Sequence, residues 1–272
     1  MTKRILVALD SSTHSAAALE AAARLAAKLS AELIGLFVED INLLRLAELP
    51  LFGAVDATSA AVRPLNSQSM QADLRLQAAQ ARRALARAAE RVHVKYSFKV
   101  ARGQVTPELL AAALEVDLLT LGRGSRGLGR RRLGSTARAI AAQCTRSTLL
   151  MTTAIRPEQP VMVTFDGSES AVAAARAAVE LAEALGAGLK ALLLAATPSR
   201  AQELREQISE MVNGRDLTVT FQFTPHLDPA SLAQLTRSAE GCILVLGDPL
   251  AHDADNLQLL LDQLDCPVLI VR

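Results

Sequence analysis

Between Gly122 and Thr136 the chain reads Gly-Arg-Gly-Ser-Arg-Gly-Leu-Gly-Arg-Arg-Arg-Leu-Gly-Ser-Thr. Five glycines, at 122, 124, 127, 129 and 134, fall within thirteen residues. Such a run lets main-chain N–H groups turn towards an anion. A helix opening near Gly134 would add the positive end of its dipole. The chemistry on offer is phosphate binding. Eight arginines (123, 126, 130, 131, 132, 138, 146 and 156) lie between residues 118 and 157 without an Asp or Glu, leaving 21 basic against 28 acidic residues elsewhere. They read first as neutralising phosphate, second as a solvated face and third as a nucleic-acid patch. The last wants interleaved aromatics or a recognised module. With 3% aromatic residues, no Trp and a single Tyr, no nucleic-acid partner is expected.

Two familiar motifs overlap here, and neither fits. Gly122-x-Gly124-x-x-Gly127 spells the dinucleotide fingerprint, which needs a helix at once and an acid about 20 residues on; no acid occurs before Glu158. Gly129-x4-Gly134-Ser135-Thr136 approaches a P-loop but has Ser in place of its lysine. Ser135 lacks the Gly-x-Ser-x-Gly elbow of a nucleophile, and a serine at a helix start caps or binds phosphate. The glycine loop holds neither lysine nor carboxylate, so no base is present to orient water for efficient hydrolysis. His14, His93, His226 and His252 have no metal-ligand spacing and read as surface or turn residues. No catalytic or metal-ligating set emerges.

The elements that must position this loop come from an internal repeat. Shifted by 156, residues 5–39 match 161–195 at 13 of 35 positions, six of them Ala. More telling is the shared order: aliphatic run, Asp10 or Asp166, Ser-rich turn, long Ala/Leu helix, second aliphatic run. Leu118–Gly122 likewise matches Ile243–Gly247, and Asp40–Leu65 is the extra piece of the first copy. At 272 residues, half of them apolar, two domains and two cores are expected. Alternating strands and helices predict an α/β fold with parallel sheets covered on both faces. In the first copy, strands fall near 4–9, 32–38, 94–101, 117–121 and 147–152, and helices near 13–29, 68–92, 106–115 and 134–145. Strands near 160–165, 188–195, 217–223, 242–246 and 267–271 form the second, with Thr153–Pro160 as linker. Ligands of such sheets sit beyond the carboxyl ends of the strands, which singles out Asp10, Val38 and the loop after Leu121. Asp10 and Asp166 also suit the capping of their helices.

These residues resemble the universal stress protein family. Lys3-Arg-Ile-Leu-Val-Ala-Leu-Asp10-Ser-Ser and Pro160-Val-Met-Val-Thr-Phe-Asp166-Gly-Ser-Glu-Ser resemble its opening strand, and Cys266-Pro-Val-Leu-Ile-Val271 its last. Its ATP-binding members carry Gly-x2-Gly-x9-Gly-Ser/Thr after the fourth strand, where Gly122 to Gly134-Ser135 lies. Counting from Gly122 puts Ser125 at the second glycine and leaves eight intervening residues; Gly124-x9-Gly134 restores nine but puts Leu121 at the first glycine. The resemblance implies two tandem Rossmann-like (adenine nucleotide alpha hydrolase-like) domains, 1–153 and 160–272. Each would be a five-stranded parallel sheet of order 3-2-1-4-5, and the last strands would pair antiparallel in an intramolecular pseudo-dimer. Two such chains could associate further. It implies ATP, with or without Mg2+, in the N-terminal domain: adenine and ribose contacts at Ala8, Asp10 and Val38, phosphate contacts at Gly122, Gly124, Gly127, Gly134, Ser135 and Thr136. In the second copy Gly247 is followed by Asp248, Asp253 and Asp255 with no later glycine. Carboxylates there would repel phosphate, so no nucleotide is expected in the C-terminal domain.

Residues 40–66, with Leu43, Leu44, Leu46, Leu49, Leu51 and Phe52, read as a lid, a contact between chains or a loop packed on its own sheet. Cys144, Cys242 and Cys266 are too few and scattered for a disulfide framework, which points to a reducing compartment, the cytoplasm. The first apolar run ends at Asp10, too short for a signal peptide. No charge-free apolar stretch reaches about 18 residues, so no membrane partner is expected. The function expected is a regulatory module that binds ATP and is not an enzyme. A family member without nucleotide that serves in interaction or dimerisation is the alternative, and a slow adenine-nucleotide hydrolase is third.

Overall fold

The computed structural model describes residues 3–10, 12–47, 53–55, 62–64, 67–124, 133–152, 154–156, 158–239, 241–247 and 254–272. The first half contains β1 (Arg4–Leu9), α1 (Thr13–Lys28), β2 (Glu32–Asp40), α2 (Ile41–Ala47), β3 (Gly53–Val55), β4 (Val62–Pro64) and α3 (Ser67–Arg91). It continues through β5 (Tyr96–Gly103), α4 (Val105–Ala113), β6 (Leu118–Gly122), α5 (Ser135–Gln143) and β7 (Ser147–Met151). The second half contains β8 (Val161–Phe165), α6 (Glu169–Leu185), β9 (Leu189–Leu194), α7 (Pro198–Val212) and β10 (Val219–Thr224). It ends with α8 (Pro229–Ser238), β11 (Ile243–Gly247), α9 (Ala254–Gln263) and β12 (Val268–Val271).

Ten of the twelve described strands form one sheet in the order β10-β9-β8-β11-β12-β7-β6-β1-β2-β5. Each half is parallel in the predicted order 3-2-1-4-5, and β12 and β7 pair antiparallel through Val268 with Leu150, Leu269 with Leu149 and Ile270 with Thr148. The central strands are buried on both faces and are accordingly almost wholly apolar. The repeated turns are built alike. Asp10 Oδ1 accepts from the Ser12 amide at 2.8 Å, as Asp166 Oδ1 accepts from Ser168 at 2.9 Å. Ser12 and Ser168 then cap α1 and α6 by accepting from Ser15 and Ala171. Beyond them, Ala-rich faces let both helices lie close to the sheet.

The two expected cores exist but divide by face, not by half. One unites Val7, Leu149, Val163 and Val245 with α1, α3, α6 and α7; the other unites Leu6, Leu150, Met162 and Ile270 with α4, α5, α8 and α9. Pairing of β7 with β12 makes the sheet continuous, so each face carries a layer through both halves. The linker is part of this packing: Ile155 is buried, its carbonyl accepts from Arg24 at 3.1 Å, and Gln159 donates to the Gly241 carbonyl. Of the 40–66 insertion, α2 and the antiparallel β3–β4 pair are described. Leu44 joins the core while Leu43 and Leu46 are exposed; Leu49, Leu51 and Phe52 lie outside the described residues.

One buried polar atom lacks a partner among the described residues. The Thr120 hydroxyl, in β6, is fully enclosed; by the match of Leu118–Gly122 to Ile243–Gly247, its counterpart is Val245. Thr120→Val is expected to raise stability by about 1 kcal/mol, since it removes an unpaired hydroxyl at constant shape. Urea unfolding checks this; a midpoint that does not rise rejects it.

Candidate functional site

At the carboxyl ends of β1, β2 and β6 lies a cleft of about 640 Å³, closed on one side by α4 and the start of α5. Nine of the ten residues singled out from the sequence line it: Ala8, Asp10, Val38, Leu121, Gly122, Gly124, Gly134, Ser135 and Thr136. The tenth, Gly127, lies outside the described residues, as does the whole run 125–132. Ala8, Leu36, Val38, Leu109 and Leu121 form an apolar wall. The start of α5 also lines the cleft, and there Gly134 is the N-cap without a side-chain cap bond. The first amides of a helix have no intrahelical acceptor, so those of Ser135 and Thr136 present donors and a positive dipole end to the cleft.

The glycines divide by role. A Cβ on Gly122 would stand 2.7 Å from the carbonyl carbon of His14, and one on Gly247 would stand 2.7 Å from the Ser170 carbonyl oxygen. His14 and Ser170 correspond in the repeat. Both glycines therefore let a helix start approach the fourth strand of each half. A Cβ on Gly124 would meet the His14 ring, whose Nδ1 lies 3.1 Å from the Thr152 carbonyl oxygen. His14 is thus half-buried beside the cleft, not the plain surface residue expected. The chain leaves and returns through a narrow neck: Gly124 bridges Leu133, and the Gly134 amide donates to the Arg123 carbonyl at 3.1 Å.

Arg123 does not take the phosphate-facing place expected of the arginine run. It is buried, and its guanidinium donates to the carbonyls of Leu261 and, at 3.4 Å, Cys266 in the second half. Burial pushes its pKa below the usual value while Cys266, Asp262 and Asp265 oppose that shift; a guanidinium stays charged regardless. The two carbonyls it already bonds, with the carboxylates of Asp262 and Asp265 nearby, outcompete a distant ligand for it. Arg138 and Arg146 are exposed, the latter on the Leu114 carbonyl. The Cys266 thiol is held below its usual range by a hydrogen bond from Cys242 and by Arg123, and Cys242 is driven upward. Cys242 is the buried thiol expected of it.

Asp10 is exposed in the turn before the Ser12 cap, and its second oxygen has no partner among the described residues. Asp40, Val105 and Leu109 also line the cleft and were not anticipated. Asp40 could have been found, because it ends the second strand; Val105 and Leu109 reach the cleft only because α4 folds back beside β2. Over the equivalent turn of the second half, Arg200 of α7 donates to the Asp166 carbonyl at 3.4 Å, its guanidinium 2.8 Å from where a Cβ of Gly167 would be. Residues 248–253, with Asp248 and Asp253, lie outside the described residues. No described helix is long and apolar enough to cross a membrane.

A search of the curated proteins finds no match. Among solved structures, a universal stress protein from Archaeoglobus fulgidus DSM 4304 superposes with a TM-score of 0.71 at 15% identity, over 99% of this chain and 96% of that one. A putative universal stress protein from Pseudomonas aeruginosa UCBPP-PA14 gives 0.64 at 14% identity, over 99% and 93%. At such identities the likeness is one of fold, and it extends through both halves. The universal stress protein family model matches residues 1–151, more than half of the chain and the half that holds the cleft; the chain belongs to the universal stress protein family.

Proposed function

We propose that the first half binds an adenine nucleotide, ATP, in this cleft, and that the chain acts as a stress-response regulatory module in the cytoplasm, not as an enzyme. The observation that carries the reading is the meeting of an apolar wall (Ala8, Val38, Leu121) with the open amides of Ser135 and Thr136 in one cleft. Its volume of about 640 Å³ falls within the range for small-molecule sites, about 300–1,000 Å³. The purine would lie on the wall, the ribose near Asp10 and the phosphates at the start of α5. Mg2+, where present, would arrive with the nucleotide. Arg200 over the Asp166 turn supports a second half without nucleotide, and three free buried thiols suit a reducing compartment.

Calorimetry with ATP is expected to give one site per chain. Asp10→Ala and Asp166→Ala should each lower stability by about 1 kcal/mol through loss of the same turn, but only Asp10→Ala should also weaken ATP. Equal effects of both on ATP, or two equal sites, reject the reading. One observation favours the second function, an interaction protein without nucleotide: the first arginine of the loop is committed to the second half. No thermal shift at millimolar ATP and no nucleotide retained on purification would decide for it.

A further inference from the structure

The segment that builds the anion-facing side of the cleft is held from the second half at both of its ends. At the neck, the buried Leu133 amide donates to Asp262 Oδ1 of α9 at 3.0 Å. Beside it, the Arg123 guanidinium caps the carboxyl end of α9 through Leu261 and the Cys266 carbonyl. At the far end of α5, Arg272 caps that helix, donating to the carbonyls of Ala141, at 2.5 Å, and Cys144. Each half thus places an arginine on the carboxyl end of the other half's last helix, where a cation meets the negative end of the dipole. Thr152, whose carbonyl oxygen lies 3.1 Å from His14 Nδ1, donates through Oγ1 to the Asp265 carbonyl at 3.2 Å.

A turn that needed only to connect β6 with α5 would have no use for these bonds. Gly124, Gly134 and the first amides of α5 line the cleft, and the residues fixing them, Arg123 and Leu133, are bonded to α9. A hydrogen bond to a carboxylate is of the stronger kind, and losing this part-buried one leaves the amide of the buried Leu133 without its acceptor.

We propose that Asp262 of the second half is a positioning residue for the anion site of the first: through Leu133 it sets the neck of the glycine loop, and through the neck the aim of the α5 amides. The second half, bearing no nucleotide, is then a regulator of the first, and whatever displaces α9 alters the cleft. The consequence for affinity rests on the nucleotide reading above; the coupling of α9 to the neck does not.

The test measures amide hydrogen exchange at Leu133 and Gly134 without nucleotide, and ATP affinity by calorimetry, in the full chain and its Asp262 variants. Asp262→Ala is expected to speed exchange at both amides and to weaken ATP about ten-fold, an ordinary coupling between sites. Asp262→Asn keeps the acceptor oxygen and is expected to restore both, which a loss due to the charge alone would not allow. Should the alanine variant fold too weakly to titrate, Asp262→Glu keeps the charge and displaces the acceptor, with the same faster exchange expected. Unchanged exchange in the alanine and glutamate variants overturns the proposal, as does unchanged affinity in a protein whose parent binds ATP. A parent that binds no ATP refutes the nucleotide reading alone, because exchange then still decides whether α9 sets the neck.

Discussion

Alanine at Gly122 or at Gly247 is expected to destabilise the chain by about 3 kcal/mol, the upper part of the range for overpacking a tight contact. The added carbon at Gly122 would stand 2.7 Å from both the carbonyl carbon and Cβ of His14 and 2.9 Å from the Ser15 nitrogen. At Gly247 it would stand 2.7 Å from the Ser170 oxygen and 2.9 Å from the Ser170 carbonyl carbon. These neighbours are mainly backbone in the first turns of α1 and α6, so no rotamer change relieves the contact. Either the helix start retreats from the sheet or the strand end does. A loss of this size is a large part of a marginal stability of about 5–15 kcal/mol, and urea unfolding of the two variants measures it. A cost below about 0.5 kcal/mol, the size of an ordinary surface change, would show that the close approach is not the role of these glycines. Since Gly122 also lines the cleft, its variant should lose ATP together with stability, whereas Gly247→Ala should lose stability and leave ATP affinity near that of the parent.

Gly134→Glu is expected to abolish ATP binding while the chain stays folded. Gly134 has φ −61° and ψ 152°, an extended conformation open to any residue. Among the described residues, a Cβ there would stand 3.0 Å from the Gly124 carbonyl oxygen, its tightest contact, and 3.9 Å from that of Arg123. An acidic side chain at a helix start interacts favourably with the dipole, so the fold has reason to accept it. The same carboxylate would occupy the place proposed for phosphate. Two like charges about 4 Å apart repel by about 4 kcal/mol at a partly screened site, roughly a thousand-fold in affinity. Calorimetry gives the binding and thermal unfolding the stability. Full ATP affinity in a folded Gly134→Glu protein would remove phosphate from the α5 start and leave the cleft without its proposed ligand.

Much of the frame was legible before any coordinates. Asp10 and Asp166, each followed by serine and an alanine-rich run, announced two copies of one strand, turn and helix, because capping and helical periodicity are local physics. The ten strands of the main sheet, from Arg4–Leu9 to Val268–Val271, fall within about two residues of their predicted places, the usual margin of element ends, whereas the β3–β4 pair of the insertion was not predicted. Glycines at 122, 124 and 134 marked one end of the cleft, and Ala8, Asp10 and Val38 marked its floor.

What a local reading missed depends on residues far apart in the chain. Gly122 looked like part of a phosphate cradle; its partner is His14, which only the packing of α1 brings to it. Arg123 looked like one more phosphate ligand, yet its acceptors lie more than a hundred residues away in α9 and beyond. A sequence lists charges without saying which carbonyls will satisfy them, and a buried guanidinium must take the acceptors that the tertiary contact supplies.

The amino-acid order by itself determined the two copies, the strand and helix runs and the asymmetry between a glycine-rich and an acidic fourth loop, since these follow from the propensity, period and charge of neighbouring residues. The pairing of the last strands was implied by the family resemblance; only the tertiary structure decided that the two cores run by face through both halves, and that α9 grips the neck of the glycine loop. Those outcomes come from the β7–β12 pairing, a match of two distant strand edges that no local pattern encodes.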